Sequence, residues 1–167
     1  MKKCLLIFLT VILCFSFVAC VADDEPTKEQ SAGQSSTENY GMNETAVFKD
    51  LKFTATELKE SSGTDFFTPE EGNIFVGIKF TIENISDQEQ SISTLLLFEG
   101  YADDVKCDYS FDAACVFDEG TLDGTLAAGK KLVGWYALEV PENWSNIELQ
   151  VQSSWLSANS AKFVFAK

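Results

Sequence analysis

The run Asn73 to Asn84, NIFVGIKFTIEN, puts Ile74, Val76, Ile78, Phe80 and Ile82 on one parity and Phe75, Gly77, Lys79, Thr81 and Glu83 on the other. A period of two in β-branched and aromatic residues makes a strand with one buried face and one wetter face. A helix would need its apolar positions every three or four residues. This strand is the expected spine of the fold, and the remaining segments have to supply its partners.

They do so in the same period. Ala46 to Leu58 carries Leu51, Phe53 and Ala55 on one parity and Leu58 on the other, so a bulge is expected between them. Lys59 to Gly72 is a loop punctuated by Gly63, Pro69 and Gly72. Ser91 to Tyr101 is expected as a third strand and Val105 to Tyr109 as a fourth. Ser110 to Glu119 has no clear period, and a short strand through Val116 and Phe117 is expected there. Leu122 to Leu126 follows. Lys131 to Val140 has Leu132, Tyr136, Leu138 and Val140 on one side with Val133 and Trp135 on the other, so both its faces should be covered. Pro141 closes it. Ile147 to Val151 and Ala161 to Ala166 complete an all-β antiparallel β-sandwich of about seven to nine strands, with no sustained helical period.

Ahead of this domain, 46–167, stand two segments of other composition. Met1-Lys2-Lys3 followed by the apolar stretch Leu5 to Val18 has the form of a secretory signal, too short to span a membrane. It ends in Phe17-Val18-Ala19-Cys20, which resembles a bacterial lipobox. The resemblance implies cleavage after residue 19 and diacylglyceryl modification of the Cys20 thiol, with two or three acyl chains holding the protein at the membrane. The other reading is an ordinary secretory signal with a chance cysteine at the cut. Val21 to Thr45 is rich in Asp, Glu, Ser, Gln and Thr and has little to bury. It reads as a disordered linker, 20–45 with the lipidated cysteine, reaching about 25–30 Å on average at coil dimensions. Tyr40 and Met42 are its first expected contacts with the domain.

Charge excludes several classes. The chain carries 26 acidic residues, 12 lysines, no arginine and no histidine, for a net charge of −14. Loss of Lys2 and Lys3 with the leader leaves 26 negative against 10 positive side chains, a net of −16. Nucleic acid is not an expected partner, since its phosphates need cationic neutralisation. Without histidine, Ser–His–Asp and Cys–His catalysis and imidazole metal ligation are absent together.

The stretches TDFFTPEEGNIFVGIKFTIENISDQEQSIS and GTLAAGKKLVGWYALEVPENWSNIELQV resemble the telokin-like domain of unknown function in Gram-positive surface lipoproteins. That group is akin to the mycobacterial immunoprotective extracellular protein. The likeness covers about Ala46 to Lys167. Its most specific marks are Glu71-Gly72-Asn73, Glu83-Asn84 with Ser86, and Gly129, Gly134 and Val140-Pro141. It implies an immunoglobulin-like sandwich and no settled catalytic role. Asn84 suits a turn in which its side chain bonds its own backbone.

Four groups of candidate residues follow. Cys107 and Cys115 lie in a compartment that permits disulfides, and either close a loop worth roughly 2–3 kcal/mol or stay as free thiols. Asp103, Asp104, Asp108 and Asp118, with Asp112, Glu119 and Asp123 nearby, are weak calcium candidates, because no spaced Asp-x-Asp-x-Asp-Gly loop holds them. Phe66, Phe67, Trp144 and Trp155 are weak recognition aromatics, against packing over the sandwich ends. The sequons at Asn43, Asn84 and Asn143 are coincidental beside a bacterial leader. The expected function is a non-catalytic binding or interaction module on a cell-surface lipoprotein, anchored on the extracellular face of the cell membrane and meeting an envelope protein or glycan. No cofactor is expected. The alternatives are an envelope glycan hydrolase with paired carboxylates and a calcium-responsive structural accessory.

Overall fold

The computed structural model describes residues 26–28, 39–117, 120–156 and 159–167. The leader, Cys20, most of the linker, and Asp118 and Glu119 lie outside the described residues. In chain order the elements are β1 (Thr27–Lys28), β2 (Asn39–Tyr40), β3 (Thr45–Val47), β4 (Leu51–Ser61), β5 (Asn73–Asn84), β6 (Gln90–Ile92) and α1 (Thr94–Leu97). They continue with β7 (Phe98–Ala102), β8 (Val105–Cys107), α2 (Phe111–Val116), β9 (Gly124–Leu126), β10 (Lys131–Pro141), β11 (Asn146–Val151) and β12 (Ala161–Ala166).

Two five-stranded sheets face each other, one ordered β1-β3-β4-β5-β10 and the other β2-β12-β11-β7-β8, with β6 and β9 as a separate ribbon. The fold is an all-β sandwich. The pairs are antiparallel except for β2, which runs parallel to β12. The β5 spine pairs along its full length with β10 and along most of it with β4. Its even parity, from Val76 to Ile82, is buried in the space between the sheets beside Phe53, Tyr136 and Leu138. Facing β11 and β12 contribute Ile147, Leu149, Val151, Ala161 and Phe163. At about 25 cal/mol per Å² of apolar surface removed from water, this inter-sheet layer is the main stabilising term.

The bulge expected in the first strand sits at Thr56. Ala55 opposes Phe80, Glu57 opposes Lys79, and Thr56 has no partner of its own. The inserted residue turns Leu58 back toward Ile78, which is why its sequence parity is reversed. The two-sided covering expected of β10 is also present. Outer-face Phe75, Trp135 and Ala137 are buried under Ala113 and Phe117 in a second, smaller core.

Three expectations are corrected. Ser91 to Tyr101 is not one strand: Ile92 ends β6, one helical turn intervenes, and β7 begins in a different sheet. Ser110 to Phe117 holds a helix rather than a strand. Its Ser110 hydroxyl caps the first turn by accepting from the Ala113 N–H at 3.2 Å, and Asp112 lies favourably in that turn. Sheet pairing also starts upstream of Ala46, within the stretch read as linker. Tyr40 is buried with its ring centroid 5.3 Å from that of Phe163, and Thr27–Lys28 extends the edge at β3. One aromatic in a polar segment is enough to dock it.

The α2 excursion also protects an edge. The free side of β10 would otherwise offer unpaired backbone groups. The Ser110 N–H donates to the Ala137 carbonyl on the way out, and the Gly120 carbonyl accepts from the Trp135 N–H on the way back. Gly134 makes the return possible, since a Cβ there would lie 2.9 Å from the Thr121 carbonyl carbon.

At the far end of β5, Asn84 is a fully buried polar side chain with every hydrogen-bonding position used. Its Oδ1 accepts from the Ser86 N–H and hydroxyl, and its Nδ2 donates to the carbonyls of Gln88 and Leu126. The local half is the backbone-bonding turn expected from sequence, and the bond to Leu126 ties the spine to β9. Asn84→Ala strands the Leu126 carbonyl in a buried site and removes the bonds that hold the Ser86–Gln88 turn, so it should lower the unfolding free energy by about 2–4 kcal/mol, read from urea midpoints at constant m.

Candidate functional site

The inner face of β7 falls in size from Phe98 to Gly100 and Ala102. Gly100 leaves room for Leu138, whose side chain would stand 3.0 Å from a Cβ there. Phe98 stacks on Tyr136 of the opposite sheet, with centroids 5.2 Å apart and planes 20° from parallel. Beside this stack a cleft of about 420 Å³ opens at the β7–β8 side of the sandwich. Volumes of about 300–1,000 Å³ are typical of small-ligand sites.

Its walls come from segments far apart in sequence. The α1 turn supplies one wall, with Thr94 and Leu97 buried and Leu95 and Leu96 exposed. The opposite wall is Tyr109 and Phe111, packed edge-on at 5.1 Å, with Phe111 66 % exposed. Gln150 and Gln152 close the side toward β11. Asp123 fixes the α1 wall by accepting from the Thr94 N–H at 2.9 Å and from its hydroxyl. Glu99 and Lys106 face each other across β7 and β8 as an ion pair at the rim.

Electrostatics there favour neutral chemistry. The Lys106 ammonium, chiefly by its hydrogen bond, holds the Glu99 carboxyl below its usual range, and Glu99 raises Lys106 in return. Burial, followed by the negative charge of Asp108, pushes the Tyr136 phenol far above its ordinary value. Burial also raises Tyr109, with Asp123 next. Both phenols therefore stay protonated at neutral pH and can donate. Tyr136 is only 2 % exposed, yet among the described residues its hydroxyl has no hydrogen-bond partner. No sealed side-chain nitrogen or oxygen among the described residues lacks a partner, so this hydroxyl reaches the cleft surface.

The residues singled out by sequence do not converge here. Asp103 and Asp104 form the two-residue β7–β8 turn with φ of 46° and 69°, the left-handed conformation that such tight hairpins require. The Asp103 carboxylate also accepts from the Ser145 and Asn146 N–H groups. Asp108 is exposed at the cleft margin, Asp112 opens α2, and Asp118 lies outside the described residues. Among the described residues no three carboxylates or thiols group as a metal site.

Trp144 is buried at a sandwich end, donating from Nε1 to Glu60 at 2.8 Å with the Lys167 ammonium over its ring. Phe67 packs against the second core, while Phe66 and Trp155 are exposed. Cys107 and Cys115 are free thiols, so the bridge is not formed. Cys107 ends an edge strand and donates to the Val105 carbonyl, and Cys115 sits exposed on α2.

Sequence reasoning does not single out Phe98, Tyr109, Gln152 or the phenol of Tyr136. The available signal was the Tyr136 hydroxyl itself, a polar tip on an otherwise aliphatic parity. With its folded pKa raised, the neutral phenol favours the fold fully below the unfolded value of about 10, and that contribution falls as pH rises from there. Tyr136→Phe should therefore show a shallower loss of stability than the parent above about pH 10, measured by urea unfolding at stepped pH.

Comparison with known proteins bears on this geometry. Residues 40–162 match the family model described as a domain of unknown function, DUF4352. No curated protein matches the chain. An uncharacterized β-sandwich protein from Clostridium difficile 630 is similar in structure, with a TM-score of 0.52 and 15 % identity over 81 % of this chain and 99 % of that one. A Bacillus subtilis protein described as a "putative lipoprotein" has a TM-score of 0.59 and 14 % identity over 80 % of this chain, which spans 39 % of its length. A conserved hypothetical protein from Bacillus anthracis has a TM-score of 0.55 and 13 % identity over 75 % of this chain and 95 % of that one. At these identities the likeness is one of fold.

Proposed function

The chain belongs to the DUF4352 family, a domain of unknown function, and on that premise we propose that it is a non-catalytic binding module carried on a lipid anchor outside the cytoplasm. The single observation that carries the binding reading is the cleft, lined by a Tyr136 whose hydroxyl has no partner among the described residues. The fold has no use for that group, and a ligand would.

The anchor rests on Cys20, behind a leader of the right form, and on the lipoprotein description of the Bacillus subtilis structural neighbour. Kinship with the telokin-like, immunoglobulin-like domains belongs to the same reading and is supported by the two-sheet architecture. At the cleft, binding is favoured over glycan hydrolysis by the pairing of Glu99 with Lys106. A general acid needs a raised pKa, whereas Glu99 is lowered by its lysine partner.

The anchor is tested in a Gram-positive host fed labelled palmitate. The full chain should take up label and fractionate with membranes, while Cys20→Ser should lose the label and appear in the medium. A wild-type chain that stays unlabelled, or a Cys20→Ser variant that keeps its label, rejects the anchor.

A further inference from the structure

We propose that the cleft binds an uncharged saccharide unit, with Tyr136 and Gln152 meeting its hydroxyls and the Tyr109–Phe111 wall meeting its apolar face. This rests on the binding reading above and names the chemistry of the ligand.

Lys106 is the cation in the lining of the cleft, and its charge is already answered by Glu99. Asp108 adds a further negative charge at the margin, in a chain of net charge −14. A phosphate or carboxylate ligand would have to displace the Glu99 carboxylate to gain one partner and would meet like charge elsewhere.

What remains uncommitted is neutral. The Tyr136 and Tyr109 hydroxyls can each donate and accept, the Gln152 carboxamide can do the same, and none of the three bonds to another side chain among the described residues. The Gln150 amide donates to Glu148, and Gln150 also lines the cleft. Hydroxyl and amide groups set among aromatic and aliphatic walls suit a ligand with polar edges and apolar faces. A sugar ring has this distribution, with C–H faces to lie on aromatic rings and equatorial hydroxyls to bridge phenol and amide. The Tyr136 hydroxyl gives such a ligand its anchor, because it stands at the cleft surface on an otherwise buried side chain, where a ligand hydroxyl can replace water as its partner. A peptide added along β8 would have only three edge residues to pair with.

The test is saturation-transfer NMR on the full chain, solubilised in a detergent without a sugar headgroup, with four probes in millimolar excess. These are cellobiose, N,N′-diacetylchitobiose, glucose 6-phosphate and a capped uncharged tetrapeptide. Transfer to the ring C–H protons of at least one neutral disaccharide is expected, with little to the sugar phosphate. Tyr136→Phe and Gln152→Ala should each cut it at least five-fold at unchanged melting temperature. Failure of both disaccharides to receive transfer, or transfer that survives both substitutions, overturns the proposal. Transfer to the tetrapeptide alone, lost in Tyr136→Phe, overturns the saccharide while leaving the cleft as a binding site. Transfer to none of the four removes the cleft from both readings.

Discussion

The stack of Phe98 on Tyr136 joins the two sheets beside the cleft that both residues line. Phe98 comes from the β7 side, and its ring also meets Phe53 and Phe80 edge-on, at 6.0 Å and 5.3 Å. Phe80 in turn meets Phe163, which meets Tyr40. The aromatic column thus runs from the docked N-terminal segment through the inter-sheet layer to the cleft floor. Edge-to-face and offset pairs add about 0.5–1.5 kcal/mol each beyond their burial. The geometry of the cleft is therefore set by the same contacts that hold the sandwich closed.

Most of that sandwich is legible in the sequence because its strands bury one face and wet the other. The period of two in β5 places every inner-face residue correctly. The reversed parity of Leu58 locates the bulge, and the split apolar faces of β10 announce a second layer before any helix is known to supply it. The helices are where reading fails. Thr94–Leu97 and Phe111–Val116 are short apolar runs, and such runs look alike as strand or helix when they are too brief to show a period. Ser110 was a usable cap signal, but a six-residue helix gives it no amphipathic stripe to confirm it. The cleft was hidden for another reason. Its residues lie on α1, β8, β10 and the end of β11, and only pairing across the sheets brings them together.

The acidic residues illustrate how composition misleads about sites. A cluster of carboxylates in one loop-rich region invites a cation, yet two of them are satisfied by backbone donors. Asp103 holds the β10–β11 connection through Ser145 and Asn146 while its own backbone makes the β7–β8 turn. Asp123 fastens α1. Each serves as a clamp between segments, and a carboxylate that accepts backbone N–H groups is already compensated. Among the described residues these carboxylates serve local structure, as clamps between segments.

The hydroxyl of Tyr136 separates the needs of the fold from those of the site. A phenylalanine there would keep the stack on Phe98 and the contact with Tyr109 while avoiding the cost of bringing a polar group into an apolar floor. The sequence carries the phenol all the same, on a parity whose other members are aliphatic. Asn84, the other polar side chain discussed from the interior, has all of its bonds within the protein, and the fold explains it completely. Among the described residues the Tyr136 hydroxyl has no such bond, and Tyr136 lines the cleft together with α1 and Phe111. On the proposed reading, a neutral hydrogen-bonding partner from solution meets that hydroxyl at the cleft surface.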